Sequence, residues 1–242
     1  MSQFGTGRHV RRSLSTMATQ LQPGDPAILF DLDGTLIDTV YEHVLAWSAA
    51  LRRANISIAN CEIHRRIGMS GGSLVRQLVR EQTTKHRAFP VAQLEQWHDT
   101  AFAKATREVR PLPGAERLLR HLSQNRLPWA IATTGGRQQA RRLLRTAKIS
   151  PKILATGDDV EKAKPSPDVF LRAAQRLGVP IENCIVVGDS VWDMLAAGRS
   201  KALAVGILAG GYSQEELERS GAFRVYANPA DRLQHIEDLG IS

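Results

Sequence analysis

Three short groups of oxygen-bearing side chains each follow directly on an apolar run of this chain. Ala27-Ile28-Leu29-Phe30 leads into Asp31-Leu32-Asp33-Gly34-Thr35, the run from Trp129 to Ala132 leads into Thr133-Thr134-Gly135-Gly136, and Ile185-Val186-Val187 leads into Gly188-Asp189-Ser190, with Asp193 close behind. Side chains two residues apart on an extended segment point the same way, so Asp31 and Asp33 share a side while Leu32 faces away, and Gly34 permits a sharp turn. Two carboxylates held that close repel, and a shared cation removes the repulsion. Asp189, arriving from another strand end, completes an oxygen-rich site whose expected occupant is a hard ion, Mg²⁺; no cluster of His or Cys lies nearby to select a softer metal. Asp193 has a second reading as the acid of a Ser-x-x-Asp capping box with Ser190, and any one Asp at a strand end can be only a turn former.

These groups need a scaffold that gathers strand ends. Apolar runs at 27–30, 129–132, 153–155, 185–187 and 202–207 alternate with helical patterns. Runs that are apolar throughout, without a polar alternate, belong to strands covered on both faces, so the expected fold is α/β, a doubly wound, Rossmann-like parallel sheet. Ligands of such a sheet bind outside the carboxyl ends of its strands, where the three groups fall. Ser166-Pro167-Asp168 supplies a helix start, with a cap, a first-turn Pro and an acid, and Gly178 supplies a stop. From about Tyr41 to Arg110 the texture changes: Val44, Leu45, Trp47 and Leu51, then Leu74, Val75, Leu78 and Val79, then Leu94, Trp97, Ala101 and Phe102 fall at helical spacing with no strand pattern. A crossover needs far fewer residues. The chain therefore divides into a flexible tail over 1–25, an α/β core over 26–40 and 111–242, and an all-helical domain over 41–110, closed by Pro111 and Pro113.

Composition narrows the possibilities. With 43% hydrophobic and 23% charged residues the chain can bury a core, which argues against a disordered or fibrous protein. No apolar run approaches the length of a membrane span. Two cysteines, Cys61 and Cys184, cannot build a disulfide framework or a Cys-based zinc site, and point to a reducing, cytoplasmic compartment. The formal charge of +8 includes Arg8, Arg11 and Arg12 of an acid-free first stretch, and the rest is spread over helix faces such as Arg141-Arg142-Leu143-Leu144-Arg145, so no nucleic-acid partner is expected. Residues 1–24 contain no secretory apolar region; they read equally as an Arg- and Ser-rich targeting segment or as an extension ahead of a start at Met17.

Four segments in order also resemble a known family. Asp31-Leu32-Asp33-Gly34-Thr35-Leu36, the apolar run ending at Thr133, Lys164-Pro165-Ser166-Pro167-Asp168 and Val187-Gly188-Asp189-Ser190-Val191-Trp192-Asp193 are similar to the four motifs of the haloacid dehalogenase-like hydrolase superfamily, over about residues 26–210. The helical insert between the first two resembles that family's type 1 cap, which in its relatives supplies substrate specificity. The resemblance implies that Asp31 is a nucleophile forming an aspartyl-phosphate that water hydrolyses. It implies that Asp33 is the general acid and base, a role worth roughly 10² to 10⁴ in rate. Lys164, Thr133 and Thr134 would bind the phosphate, with Lys164 also orienting Asp31; the bland reading of Lys164 is a surface lysine beside Lys162. Asp31, Asp33 (through its carbonyl) and Asp189 would hold Mg²⁺, with Asp193 behind them.

The same resemblance sorts the subclasses. Haloalkanoate dehalogenases need no acid at the second position, so Asp33 argues for phosphoryl chemistry. Phosphonate-cleaving relatives need a cap lysine, and Lys85 and Lys104 match no such motif. The expected activity is hydrolysis of a small phosphorylated metabolite, a sugar phosphate or a phosphoglycolate-like compound, without membrane or nucleic-acid partners. A β-phosphoglucomutase-like phosphosugar isomerase is the alternative, because His43, Ala46 and Trp47 fall at the spacing after Asp33 that those mutases share. Their cap loop is basic where Ile67-Gly68-Met69-Ser70-Gly71-Gly72 is apolar or small, although Arg65 and Arg66 precede it. His43, Gly68, Met69 and Ser70 are thus the candidate specificity residues, His43 having a further reading as a hinge or a polar helix position. A catalytically silent binding module, the third alternative, would be free to lose Asp31, Asp33 or Lys164, and none is lost.

Overall fold

The computed structural model describes residues 26–82 and 90–239; the expected tail over 1–25, with Arg8, Arg11, Arg12 and Met17, lies outside the described residues, as does Lys85. Six strands, β1 (Ala27–Phe30), β2 (Trp129–Ala132), β3 (Leu154–Ala155), β4 (Cys184–Gly188), β5 (Leu203–Ile207) and β6 (Arg224–Tyr226), form one parallel sheet in the order β3-β2-β1-β4-β5-β6. The α/β expectation is met, and β6 is added to it. That three-residue edge strand carries an exposed Arg224 and a buried Tyr226, too short and mixed a run to stand out in sequence.

Ten α-helices, with five short 3₁₀ turns between or after them, make up the other regular elements of the described residues: α1 (Val40–Arg53), α2 (Asn60–His64), α3 (Gly71–Gln82), α4 (Val91–Ala105), α5 (Ala115–Gln124), α6 (Arg137–Thr146), α7 (Asp168–Leu177), α8 (Val191–Ser200), α9 (Gln214–Arg219) and α10 (Pro229–Gln234). All four residues of β1 are buried, yet they serve two cores. Ile28 and Phe30 pack with Ile131, Ile185 and Val187 beneath Leu118 and Leu122 of α5 and Leu143 of α6. Ala27 and Leu29 pack with Ala130, Ala132 and Val186 beneath Val169 and Phe170 of α7 and Met194 of α8. Helices on both faces of the sheet are the reason its strands read as unbroken apolar runs.

Helices α1 to α4, all between β1 and β2, have a core of their own, built from Val44, Trp47, Leu51, Leu74, Val75, Leu78 and Leu94. Ala46 and Phe102 turn instead into the core beneath α5 and α6, so the helical segment is packed onto the sheet layer. Leu45, counted within the apolar pattern of α1, is exposed, because the buried stripe follows Val44, Trp47 and Leu51 and position 45 sits to one side of it. Helix α7 begins at Asp168 with Pro167 at its cap, a residue later than the Ser166 start the sequence suggests, and Gly178 ends it at φ +73°. Arg141 and Arg145 of the basic run lie exposed on α6, whereas Leu143 and Leu144 are buried. Among the described residues no helix is long and apolar enough to cross a membrane.

The chain runs outward from β1 through β2 to β3 and then crosses back to β4 on the other side of β1. Loops leaving β1 and β4 therefore diverge and leave a crevice at the carboxyl ends of the central strands. Truncating Leu143, fully buried between α6 and the sheet, should cost about 2–5 kcal/mol in urea unfolding. The exposed Leu45→Ala should stay within about 0.5 kcal/mol of the parent, which checks the same assignment from the other side.

Candidate active site

Asp31 follows the last residue of β1, and its N–H donates to Val187 O of β4 at 2.9 Å, which fixes the carboxylate over the crevice. Asp189 follows β4, Asp193 lies in the first turn of α8, and one carboxylate oxygen of each of the three acids falls within 4.8 Å of the others. All three are buried. Lys164, itself 1% exposed, reaches into the cluster with Nζ 2.5 Å from Asp31 Oδ1 and 2.7 Å from Asp193 Oδ1. The capping-box reading of Asp193 is seen directly: its Oδ2 accepts from the Ser190 N–H (3.1 Å) and Ser190 Oγ (2.5 Å), closing the box at the start of α8, while Oδ1 meets the lysine.

Asp189 is fixed by Thr35, whose Oγ1 donates to Oδ1 at 2.9 Å. Its Oδ2 is boxed by two glycines: a Cβ on Gly34 would stand 2.5 Å from it and one on Gly210 only 1.8 Å. Gly34 also holds φ +79° in the turn after β1, so a side chain is excluded there on two counts.

Asp33 takes a different surrounding. The strand ends at Phe30 and the chain bends at Leu32, so the extended geometry that would keep Asp31 and Asp33 side by side does not persist. The Asp33 carboxylate accepts from Thr39 Oγ1 at 2.6 Å and lies 3.4 Å from His43 Nε2. The contacts continue through the helical segment: His43 Nδ1 is 2.9 Å from His98 Nε2, and His98 Nδ1 is 2.9 Å from Asp99 Oδ1. The two imidazoles stack with centroids 5.1 Å apart, with Phe102 against His43 and Trp47 against His98. Burial drives the His98 imidazolium down to about 4.

On the β2 side, Thr133 Oγ1 accepts from the Gly135 N–H at 3.1 Å and shapes the Thr133–Gly136 turn. Thr134 spends its hydroxyl on the helical segment, donating to Gly68 O at 3.1 Å. Ser70 caps the start of α3 through Ser73. Further contacts seat residues 64–70 on the sheet layer: His64 Nε2 donates to Gly210 O (2.7 Å), while Trp192 Nε1 and Tyr212 OH both donate to Arg65 O (3.1 and 2.9 Å). Arg65 also pairs with Glu216 at 2.7 Å. A cavity of about 980 Å³ lies between the two parts, lined by Asp31, Asp33, Thr133, Thr134 and Asp189 from the sheet layer and by His43, Gly68, Met69 and Ser70 from the helices.

The charges show what the site lacks. Three buried carboxylates face one ammonium. Burial works against the charge on Lys164, but Asp193 and Asp31 outweigh it and hold the lysine above its ordinary range. The unmatched negative charge is expressed on the other acids: burial, with Asp193 and Asp33 nearby, pushes Asp31 up to about 7 against the pull of Lys164, and burial with Asp193 and Asp31 pushes Asp189 well up. Asp33 moves the other way; burial opposes its charge, but the bonds from His43 and Thr39 prevail and hold it below the usual carboxylate range. An oxygen-only donor set short of positive charge fits a hard divalent cation.

With this geometry, comparison with known proteins is decisive, because a sequence model of the haloacid dehalogenase-like hydrolases matches residues 26–200. The chain belongs to that family. A hydrolase from Pseudomonas syringae of known crystal structure is 46% identical to it, with a TM-score of 0.84 over 90% of this chain and 100% of that one. Hexitol phosphatase A of Escherichia coli is 35% identical, over 70% of this chain and 78% of its own. A probable pseudouridine-5'-phosphatase of Drosophila melanogaster is 31% identical, over 84% and 89% respectively.

In this haloacid dehalogenase-like hydrolase, Asp31, Asp189, Asp193 and Lys164 are brought into direct contact or near it, and Asp33, Thr133 and Thr134 stand around the same cavity. Sequence reasoning did not single out Thr39, His98 or Gly210. Thr39 and His98 have no motif around them, and Gly210 acquires its importance only where its loop passes Asp189.

An acid raised from its ordinary 3.8 to about 7 binds more protons folded than unfolded between those values, so the contribution of Asp31 to the stability of the cation-free protein falls as pH rises through that window. A cation that pairs with the ionised acids offsets this loss. The rise in Tm on adding Mg²⁺ should therefore be small at pH 5, grow toward pH 8, and vanish in Asp189→Asn; a shift independent of pH would contradict the assignment.

Proposed function

We propose that this hydrolase is a phosphatase of small phosphorylated metabolites that works through a phosphoryl-aspartate on Asp31, with Mg²⁺ as its cation and residues 41–110 as a cap over the site. One observation carries the reading: Asp31 lines the cavity at the end of the central strand while Lys164 Nζ holds one of its oxygens at 2.5 Å. The names of the related phosphatases support the substrate class.

A carboxylate approaching a phosphate dianion meets like charge, and the chain's own donors reduce the barrier. Lys164 keeps Asp31 oriented and supplies positive charge, and the turn after β2 offers the backbone N–H groups of Thr134 and Gly136 to the phosphoryl oxygens, those of Thr133 and Gly135 being bonded within the fold. Mg²⁺ held by Asp31, Asp189 and the Asp33 carbonyl would neutralise charge on the transferring group. Asp193, with both oxygens occupied by Ser190 and Lys164, serves to hold the lysine.

Asp33 rests ionised because Thr39 and His43 stabilise its charge. This is the form that takes a proton from water attacking the phosphoryl-aspartate. A bound dianion raises the same carboxyl, favouring the protonated form that the leaving alkoxide needs.

Release of phosphate from p-nitrophenyl phosphate, assayed with and without a chelator, tests the reading: turnover should require Mg²⁺, and Asp31→Asn should lose at least about a thousandfold in kcat. Retained turnover in that variant would remove Asp31 as nucleophile. Asp33→Asn should lose about 10²–10⁴ on an alkyl phosphate and less on the aryl ester, whose leaving group needs no proton. No turnover of any ester by folded, Mg²⁺-loaded protein would favour a binding module, and interconversion of sugar phosphates dependent on a bisphosphate would favour a mutase.

A further inference from the structure

We propose that the helical wall of the cavity selects phosphate esters whose alcohol is uncharged and rich in hydroxyls, and that Glu95 is a residue that sets this preference; the proposal rests on the phosphatase reading above. Helix α4 brings Glu95, Gln96 and Asp99 to the cavity, and among the described residues no Lys or Arg of the helical segment lines it. Two arginines do line it, both on α6 of the sheet layer; Arg137 faces an acid, whereas Arg142 meets only neutral acceptors. Arg137 pairs with Asp159 through its guanidinium, and Arg142 donates to Thr106 O (3.2 Å) and Thr106 Oγ1 (2.8 Å).

A substrate whose alcohol carries a carboxylate or a second phosphate would thus bring its extra charge toward two carboxylates, with no uncommitted cation among the described lining residues of the helical segment to receive it. Like charges so placed discriminate strongly against a ligand. Hydroxyl groups meet the opposite situation, because an ionised carboxylate only accepts hydrogen bonds and a sugar or alditol supplies donors. Of the two acids, Asp99 is spoken for by His98 Nδ1 at 2.9 Å. Glu95 is anchored by the Gly72 N–H at the start of α3, with Oε1 only 3.1 and 3.3 Å from where a Cβ on Gly71 or Gly72 would stand. The two glycines give the carboxylate its seat, and one such bond leaves lone pairs for a ligand. Burial and the neighbouring Asp99 push the Glu95 carboxyl above its ordinary range, and Arg76 of α3, exposed and not among the cavity residues, works against that rise from outside the cavity.

The simpler role for Glu95, holding the start of α3 and nothing more, makes a different prediction. Kinetics of wild type, Glu95→Gln and Glu95→Arg on sorbitol 6-phosphate, phosphoglycolate and fructose 1,6-bisphosphate, with Mg²⁺ throughout, separate the two. Wild type should favour sorbitol 6-phosphate over both anionic compounds by at least about tenfold in kcat/KM. Glu95→Gln should narrow that ratio and Glu95→Arg should narrow it further or reverse it, through KM more than kcat. A wild-type preference for either anionic compound, or an unchanged ranking in both variants with only Tm altered, would overturn the proposal. If wild type also fails on p-nitrophenyl phosphate, the phosphatase reading itself falls; if it hydrolyses that ester but ranks the others the wrong way, only the present inference does.

Discussion

Three carboxylates buried around a single ammonium, at the point where β1 and β4 part, set the terms for the rest of the molecule. Asp31, Asp189 and Asp193 are together because the strand order places the ends of β1 and β4 side by side, and Lys164 lies between two of them with no exposure to water. Removing ionised groups from water is costly unless each is paired and hydrogen-bonded. The surrounding chain accordingly supplies what it can: Ser190 and the first turn of α8 for Asp193, Thr35 for Asp189, the lysine for Asp31. These bonds leave the cluster short of positive charge, and that shortage makes the site receptive to a cation.

What could be read in advance was the local part of this arrangement. The strands that feed the site are short, wholly apolar and followed at once by their functional residues, so sequence order and the geometry of parallel sheets suffice to gather Asp31, Thr133 and Asp189 at one edge. Lys164 carries no such positional signal apart from the family resemblance. The surroundings of Asp33 were hidden by a bend at Leu32 that no alternation rule anticipates. The partnership of His43 with His98 joins α1 to α4 across 55 positions of sequence, and the meaning of Glu95 depends on where α3 begins. Contacts of this kind are set by how helices pack, and neither residue spacing nor composition encodes them in readable form. The edge strand β6 escaped for the opposite reason: three residues with one exposed Arg leave too little pattern.

The bonds that seat residues 64–70 on the sheet layer have an uneven chemical basis. Trp192, Tyr212 and Thr134 all reach the loop through main-chain carbonyls, those of Arg65 and Gly68, and the loop's own reach toward the sheet layer comes chiefly from His64 and Arg65. Every amino acid carries a carbonyl. The identity of the side chain at 69, which borders the cavity, can therefore vary without undoing the docking, whereas Ile67 also belongs to the core of the helical segment. A scaffold built in this way can acquire new substrates by changing a few wall residues while its hydrolytic chemistry stays intact.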